Sequence, residues 1–254
     1  MPATQREHAI LQILQDNGSG RIQDLAHRLQ VTEETIRRAV KRLESAGHVS
    51  KVHGGVHLKD WGAEPSFEQR FILNPQPKRR IAAHLATMIG NGASLFLDVG
   101  STTAYVAQAL RLHRDLLVVT NSLAVAQVLT SRNGNRVFMA GGELRSHDGG
   151  AFGAEALTFV RQFQVQYAVL SAAAVDARAG FMLHDLREAE FSRAIIERAE
   201  TAIIATDASK FGRSAPIQVA APSAFHRLVT DAAPPPDLAT MLTQAGVEVC
   251  LAAE

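Results

Sequence analysis

Four short segments of the chain carry the residue types that bind a phosphorylated small molecule. Each follows a short apolar run and combines glycine with hydroxyl, amide or charged side chains; they begin at Asp98, Thr120, Gly141 and Thr206. The first segment, DVGSTT, ends where a helix is predicted to begin. Free backbone N–H groups, hydroxyls and the positive end of the helix dipole at such a position favour an anion.

Charged and amide side chains in these segments extend the same chemistry. Arg145 and Lys210 would add positive charge, while Asp98, Asn121 and Asp207 would accept hydrogen bonds from the hydroxyls of a sugar or a polyol. For any single segment an ordinary turn is the simpler interpretation, because Gly, Ser, Thr and Asn favour turns. Several such segments at one edge of a sheet instead predict a site for a phosphorylated polyol.

A second set of residues, near the N-terminus, has the chemistry of a nucleic-acid-binding surface. Between residues 37 and 58 there are five basic residues and one acidic residue. Such a surface neutralises DNA phosphates, and threonines and arginines on it can approach base edges. The alternative is a solvated charged helix. The predicted DNA-binding residues are Thr32, Thr35, Arg37, Arg38, Lys41, Arg42, Lys51 and His53.

Helical spacing predicts the elements that position this basic surface. Two apolar stripes with the spacing i, i+3, i+4, i+7 are separated by the two-residue turn Gln30-Val31; they are Ile22, Leu25, Ala26, Leu29 and Ile36, Ala39, Val40, Leu43. Thr32 is placed to cap the second helix, and Gly47 to end it. Gly54-Gly55 suits a hairpin turn. Together with a first helix over residues 4–15, this predicts a winged helix-turn-helix with its wing at 48–58.

Beyond residue 76 the chain alternates short, continuously apolar runs with helical segments, which predicts a parallel α/β sheet buried on both faces. The predicted strands are residues 94–97, 116–119, 136–140, 167–170, 202–205, 228–229 and 247–251. Pro65, Pro75 and Pro77 interrupt the preceding stretch. The predicted organisation is therefore a winged helix-turn-helix over 1–58, a linker over 59–76 and an effector-sensing α/β domain over 77–254.

Composition limits the remaining functions. The chain has 254 residues, a net charge of +1 and one cysteine, Cys250. It carries no apolar run long enough to span a membrane and no signal-peptide core, so we expect a cytoplasmic protein. GxxxxGK[ST], GxGxxG after a strand, and HExxH are absent, so we expect no cofactor and no metal.

Specific motifs in both halves resemble the DeoR family of bacterial repressors. The N-terminal half carries TIRR (35–38) and HGG (53–55). The C-terminal half carries DxGxT from Asp98, VTN (119–121), Gly141-Gly142, EA…RA from Glu188 to Ala194, and DASKFG (207–212). The resemblance implies a sensor domain with a Rossmann-like fold similar to ribose-phosphate isomerase. The effector-binding residues that we predict are Asp98, Gly100, Ser101, Thr102, Thr103, Thr120, Asn121, Gly141, Gly142, Arg145, Glu188, Arg193, Asp207 and Lys210.

The resemblance also implies an effector. AGGELRSHDGG (140–150), RAIIE (193–197), SKFGR (209–213) and TDAAPPP (230–236) are most similar to one branch of the family and imply glycerol 3-phosphate as inducer. A different sugar phosphate is the alternative.

These inferences together predict a two-state repressor. A homodimer or tetramer would span operator half-sites in double-stranded DNA, and effector binding would disturb that spacing. Two other functions stay open at this point. One is a sugar-phosphate isomerase-like enzyme in which Asp98, Glu188 and Lys210 perform acid–base chemistry. The other is an activator or architectural protein without a small ligand.

Overall fold

The chain forms two compact units, Met1–Ala63 and Glu64–Glu254. The structure is a computed structural model and describes residues 3–17, 19–45, 49–52, 55–58 and 65–252. We call the two units the N-terminal unit and the C-terminal unit.

The N-terminal unit contains helices and a small antiparallel sheet. Its described elements are α1 (Ala3–Asn17), β1 (Ser19–Arg21), α2 (Ile22–Arg28), α3 (Glu33–Ser45), β2 (Val49–Val52) and β3 (Gly55–Leu58). The apolar stripes of α2 and α3 pack with α1 and the sheet in one core, which includes Leu14, Leu25, Ile36, Val40 and Val56.

The connection from α2 to α3 has the predicted helix-turn-helix geometry. Gln30 adopts a left-handed φ of 52°, and the Val31 amide donates to the Ala26 carbonyl across 3.0 Å. The Thr32 hydroxyl accepts a hydrogen bond from the Thr35 amide at 3.3 Å, which caps α3 as predicted. Gly47, the predicted end of this helix, lies outside the described residues.

The wing differs from the prediction in two respects. Gly55 belongs to β3 and pairs with Val52, so it is not a turn residue; its predicted turn partner Gly54 and the neighbouring His53 lie outside the described residues. In addition, β1 pairs antiparallel with β3 and adds a third strand. Ser-Gly-Arg is too short to show an alternating pattern, so this strand could not be predicted from sequence.

A parallel sheet organises the C-terminal unit. Within residues 65–252 it has seven strands in the order β13-β12-β10-β7-β4-β5-β6. The parallel strands are β4 (Ser94–Leu97), β5 (Leu117–Thr120), β6 (Arg136–Met139), β7 (Val165–Leu170), β10 (Ala199–Ala205), β12 (Arg227–Thr230) and β13 (Glu248–Leu251). Leu95 and Leu97 pack on one face and Phe96 on the other, so the predicted burial of both faces is confirmed.

Helices cover both faces of this sheet, and a small antiparallel sheet lies beside it. The described helices are α4 (Phe67–Ile72), α5 (Pro75–Met88), α6 (Ser101–Ala109), α7 (Leu123–Leu129), α8 (Ala154–Val160), α9 (Leu186–Ile196) and α10 (Pro236–Gln244). The small sheet, in the order β11-β9-β8, consists of β8 (Ala174–Asp176), β9 (Gly180–Leu183) and β11 (Ile217–Gln218). None of the described helices is long and apolar enough to cross a membrane.

The predicted linker over 59–76 is wrong for its second half. Ser66 caps α4 through a reciprocal capping box with Gln69, so a helix begins where the prolines suggested irregular chain. Pro75 and Pro77 lie in the first turn of α5, where the missing amide of proline is not needed for the helix. The C-terminal unit therefore begins before residue 77, and Trp61 lies outside the described residues.

The strand order fixes where a ligand can bind. β4 comes first along the chain and lies between β5 and β7, so the direction in which strands are added reverses there. Ligands of open parallel sheets bind beyond the carboxyl ends of the strands at such a switch point. We call the segments that follow β4, β5, β6, β7 and β10 the carboxyl edge.

Candidate DNA-binding surface and effector site

The three arginines of α3 form ion pairs with carboxylates. Arg37 contacts Glu33 at 2.8 Å and Arg38 contacts Glu34 at 3.0 Å, each one helical turn apart on the exposed surface. Arg42 binds Glu7 of α1. Exposed ion pairs of this kind contribute only about 0.2–1 kcal/mol, so a competing anion could displace these carboxylates at little cost.

The remaining predicted DNA-binding residues also lie on or beside α3. Lys51 of β2 binds Glu44 at 2.9 Å and so joins the wing to the helix, while Lys41 is exposed on α3 itself. The hydroxyls of Thr32 and Thr35 are 2.8 Å apart at the start of α3, the end of a recognition helix that contacts base edges. His53 lies outside the described residues.

Asp98 occupies the switch point between β4 and β7. Its side chain is buried, and Oδ2 accepts a 2.9 Å hydrogen bond from the Ser171 amide that follows β7. Oδ1 is also buried and has no hydrogen-bond partner in the described part of the chain. Burial raises the pKa of Asp98 well above its usual range. The hydrogen bond from the Ser171 amide acts to lower this pKa, and the nearby charge of Glu188 raises it further. Asp98 thus offers an unsatisfied oxygen at the carboxyl edge.

Gly100 allows the next segment to pass close to β7. A Cβ atom at this position would lie 2.2 Å from the Ser171 hydroxyl oxygen, so a larger residue cannot fit without rearrangement. Ser101 and Thr102 follow in the first turn of α6, and both are buried. The Thr103 hydroxyl donates to the Asp98 carbonyl at 2.9 Å, so it fixes this loop.

Thr120 and Asn121 fix the segment after β5. The Thr120 hydroxyl donates to the Leu97 carbonyl at 2.6 Å, and the Asn121 amide nitrogen donates to the Ala151 carbonyl at 3.2 Å. The Asn121 oxygen is buried and, within the described residues, accepts no hydrogen bond. Asn121 therefore positions the loop that follows β6 and leaves a second unsatisfied oxygen at the carboxyl edge.

Arg145 fastens the loop of residues 141–153, which begins with the exposed Gly141 and Gly142. Its guanidinium donates from Nε to both carboxylate oxygens of Asp148 at 3.0–3.1 Å, and from Nη2 to Glu188 at 2.9 Å. The Asp185 carboxylate lies 3.4 Å away, and the guanidinium carbon lies 4.3 Å from the ring centre of Phe152. Burial opposes its charge, but the carboxylates outweigh that cost and raise its pKa. The positive charge of Arg145 is therefore neutralised by carboxylates of the protein itself.

Arg193 is held away from this group of carboxylates. Its guanidinium donates to the carbonyls of Val219 at 2.6 Å and Gln218 at 2.8 Å, so it ties α9 to the segment around β11. Among the described residues, its hydrogen bonds do not reach the carboxyl edge.

Asp207 and Lys210 lie beyond β10, beside two residues that the sequence-based prediction missed. The Asn74 amide nitrogen donates to Asp207 at 3.2 Å, and Lys78 of α5 interacts electrostatically with both Asp207 and Lys210. Burial lowers the pKa of Lys78 to about 8, although the negative charge of Asp207 acts to raise it. The sequence did contain one indication that Lys78 is buried: it lies on the apolar stripe of α5 that continues through Ile81, Ala82 and Leu85.

Taken together, the two units define a class of protein: a DNA-binding regulator with a helix-turn-helix and an α/β sensor domain. A family model for the DeoR C-terminal sensor domain matches residues 73–232, and one for the DeoR-like helix-turn-helix domain matches residues 6–60. The chain belongs to the DeoR family.

Individual relatives are similar along nearly the whole chain. The glycerol-3-phosphate regulon repressor of Escherichia coli (strain K12) is 34% identical over 98% of this chain and 99% of its own length. The HTH-type transcriptional repressor CsqR of the same organism is 31% identical over 98% of this chain and 95% of its own length. Among solved structures, a D-ribose-5-phosphate isomerase in complex with phospho-erythronic acid has a TM-score of 0.38, 20% identity and 53% coverage of each chain.

Proposed function

We propose that this DeoR-family transcriptional repressor is released from its operator by glycerol 3-phosphate bound at the carboxyl edge. The observation that carries the proposal is the unsatisfied, buried Oδ1 of Asp98, two residues before the glycine that opens α6. A polyol hydroxyl would supply the missing hydrogen bond, and the start of α6 would favour the phosphate. The similarity to the glycerol-3-phosphate regulon repressor supports this choice of ligand.

The effector site would be divided by role. Asp98, Asn121, Glu188 and Asp207 would accept hydrogen bonds from the polyol, and Lys210 would supply charge. The backbone and hydroxyl groups of the α6 turn and of the glycine loop would surround the phosphate. Arg145 and Thr103 would hold the loops in place, since their hydrogen bonds already go to the protein.

On the DNA side, α3 would enter the major groove. Arg37, Arg38, Lys41, Arg42, Lys51 and His53 would contact phosphates, while Thr32, Thr35 and some of the arginines would approach base edges. One unit makes few such contacts, so a homodimer or tetramer acting in the cytoplasm would bind two half-sites.

The sensor would bind its ligand without turnover. Glu188, one of the residues considered for acid–base chemistry, accepts a 2.9 Å hydrogen bond from the Arg145 guanidinium, which disfavours its protonation. Incubation with glycerol 3-phosphate and with pentose and hexose phosphates should yield no product by NMR. Conversion of any of them would favour the enzyme.

A gel shift on the DNA upstream of the protein's own gene tests the proposal. Glycerol 3-phosphate should release the complex, whereas glycerol and inorganic phosphate at equal concentration should not. A thermal-shift series with the same compounds should show a higher melting temperature only with the phosphate ester, because a ligand of the folded state stabilises it. Release by a different sugar phosphate alone would change the assigned effector. No response to any phosphate ester would reject the proposal.

A further inference from the structure

Two buried oxygen atoms at the carboxyl edge have no hydrogen-bond donor within the described part of the chain: Oδ1 of Asp98 and Oδ1 of Asn121. Only 1% of Asp98 and 0% of Asn121 is exposed. Buried polar atoms normally have a hydrogen-bond partner, so an oxygen without one requires an explanation. In a sensor domain, a ligand group that donates hydrogen bonds provides that explanation.

The two residues are neighbours on the sheet. In the parallel pair of β4 and β5, the last residues Leu97 and Thr120 lie opposite each other. Asp98 and Asn121 are the next residues along the two strands, so their backbones are roughly 5 Å apart and the pleat places both side chains on the same face. A small ligand can therefore contact both side chains at once.

The loop after β6 lies against both residues. The Asn121 amide nitrogen donates to the Ala151 carbonyl at 3.2 Å, and the Ala151 amide donates to the Asn121 backbone carbonyl at 2.9 Å. Arg145 of the same loop binds Glu188, whose charge acts on Asp98. Because the loop encloses this part of the edge, a ligand would bind the two oxygens after the loop shifts.

Hydrogen bonds within the protein determine which atom each side chain presents. The Ser171 amide donates to Oδ2 of Asp98 at 2.9 Å, which leaves Oδ1 for a ligand. The Asn121 amide nitrogen donates to Ala151, so this side chain presents its oxygen. An amide oxygen and an ionised carboxylate oxygen accept hydrogen bonds and cannot donate them. The edge therefore presents two acceptors side by side.

We propose that Asp98 and Asn121 select a ligand with two adjacent hydroxyl groups and so distinguish glycerol 3-phosphate from the corresponding ketone, dihydroxyacetone phosphate. This inference rests on the proposed function, because it assigns the selectivity of the same site. Glycerol 3-phosphate has two hydroxyls, one for each oxygen. In the ketone, the central hydroxyl is replaced by an oxygen that only accepts, so a buried acceptor would face another acceptor.

Titrations of the parent protein test this selectivity without any substitution. The full-length chain bound to its operator is titrated with glycerol 3-phosphate, dihydroxyacetone phosphate and 3-hydroxypropyl phosphate, which lacks the central hydroxyl. Half release should require at least about tenfold more of either analogue, because each leaves a buried acceptor unpaired. All three compounds carry the same phosphate, so a difference between them reports the central oxygen.

Asp98→Asn provides a readout that a merely structural role would not change. Because the Ser171 amide still needs an acceptor, the asparagine oxygen would take the place of Oδ2 and its NH2 group that of Oδ1. The acceptor that faces the ligand thus becomes a donor, which suits a ketone. The preference for glycerol 3-phosphate over dihydroxyacetone phosphate should therefore fall at least about tenfold.

Asp115→Asn is the matched control. Asp115 is an exposed aspartate that precedes β5 at the opposite edge of the sheet, so the same substitution there leaves the carboxyl edge unchanged. This variant should keep the preference of the parent. An unchanged preference in Asp98→Asn as well would reject the role of Asp98, and the titrations of the parent decide the selectivity even if Asp98→Asn does not fold.

The outcomes separate the two proposals. If no phosphate ester releases the parent from its operator, the proposed function fails and this inference fails with it. If another phosphate ester releases it but glycerol 3-phosphate does not, both the effector and the selectivity are wrong. If glycerol 3-phosphate releases it but the ketone or 3-hydroxypropyl phosphate acts at the same concentration, only the selectivity assigned to Asp98 and Asn121 is overturned.

Discussion

The Arg145 guanidinium and the Glu188 carboxylate are joined by a 2.9 Å hydrogen bond that links the loop after β6 to the first turn of α9. Asp148, in the same loop, binds this guanidinium from a second side. The group is buried, so each charge depends on the others for compensation. The loop over the carboxyl edge is therefore held by one arginine and several acidic groups.

Arg145→Met should destabilise the C-terminal unit by about 3 kcal/mol, because removal of one partner leaves buried carboxylates uncompensated. Urea unfolding followed by circular dichroism would measure the loss. Arg111→Met, at an exposed position of the same unit, should change stability by less than about 0.5 kcal/mol. Equal stability of the two variants would show that the ion pairs contribute little.

Asp98→Asn should increase stability at neutral pH. The pKa of Asp98 is raised in the folded state, mainly by burial, so its contribution to folding becomes less favourable as pH rises above the unfolded value near 4. Asparagine lacks this titration and keeps an oxygen that can accept from the Ser171 amide. The gain in melting temperature should therefore be larger at pH 7 than at pH 4.

Asp148→Asn is the matched control, for which we expect the opposite change in stability at neutral pH. Burial raises the pKa of Asp148, but the hydrogen bond from Arg145 outweighs that effect and lowers it, so the ionised carboxylate stabilises the fold at neutral pH. That contribution is lost as pH falls below about 4. A cost of about 2 kcal/mol is expected at pH 7. If both asparagine variants shifted stability in the same direction, the electrostatic explanation would be wrong.

Arg38→Ala should weaken operator binding about tenfold without affecting the binding of glycerol 3-phosphate. If Arg38 contacts a phosphate, the slope of log affinity against log salt should also decrease by about 1. Fluorescence anisotropy at several salt concentrations measures both effects, with Arg111→Ala as the control. Simultaneous loss of operator and ligand binding would mean that Arg38 is required for folding.

Glu34→Gln should strengthen binding to DNA of unrelated sequence by about threefold. The substitution releases Arg38 from its 3.0 Å ion pair and removes a charge that repels phosphates. Since affinity for the operator should rise less, the ratio of specific to non-specific affinity should fall. Competition assays measure this ratio, and Glu190→Gln on α9 should leave it unchanged. A higher ratio in Glu34→Gln would show that Glu34 does not limit binding to DNA of unrelated sequence.

Much of the fold followed from hydrophobic periodicity. The stripes of α2 and α3 and the continuous apolar strands of the large sheet carry strong patterns, because each element buries a regular face. Helix α4 was missed because it has only six residues and lies among prolines, two of which occupy the first turn of α5. The small sheet was missed because its strands have two to four residues.

The site was less predictable than the fold, because its contacts join distant parts of the chain. The spacing from Glu33 to Arg37 already indicates a helical ion pair, and Arg145 and Asp148 are close in sequence. The bond from Arg145 to Glu188 spans 43 residues, and that from Asn74 to Asp207 spans 133. Only the arrangement of strands brings these residues together, so local sequence could not reveal that the charge of Arg145 is neutralised.

The close packing of Gly100 against Ser171 restricts how this protein could be adapted as a biosensor. Any side chain at position 100 would collide with Ser171, so substitutions at this position require Ser171 or the start of α6 to shift. Changes in ligand preference would therefore have to be introduced at other residues of the proposed effector site. A screen that keeps Gly100 intact and varies the other proposed effector-binding residues should therefore yield more responsive reporters than one that also randomises position 100.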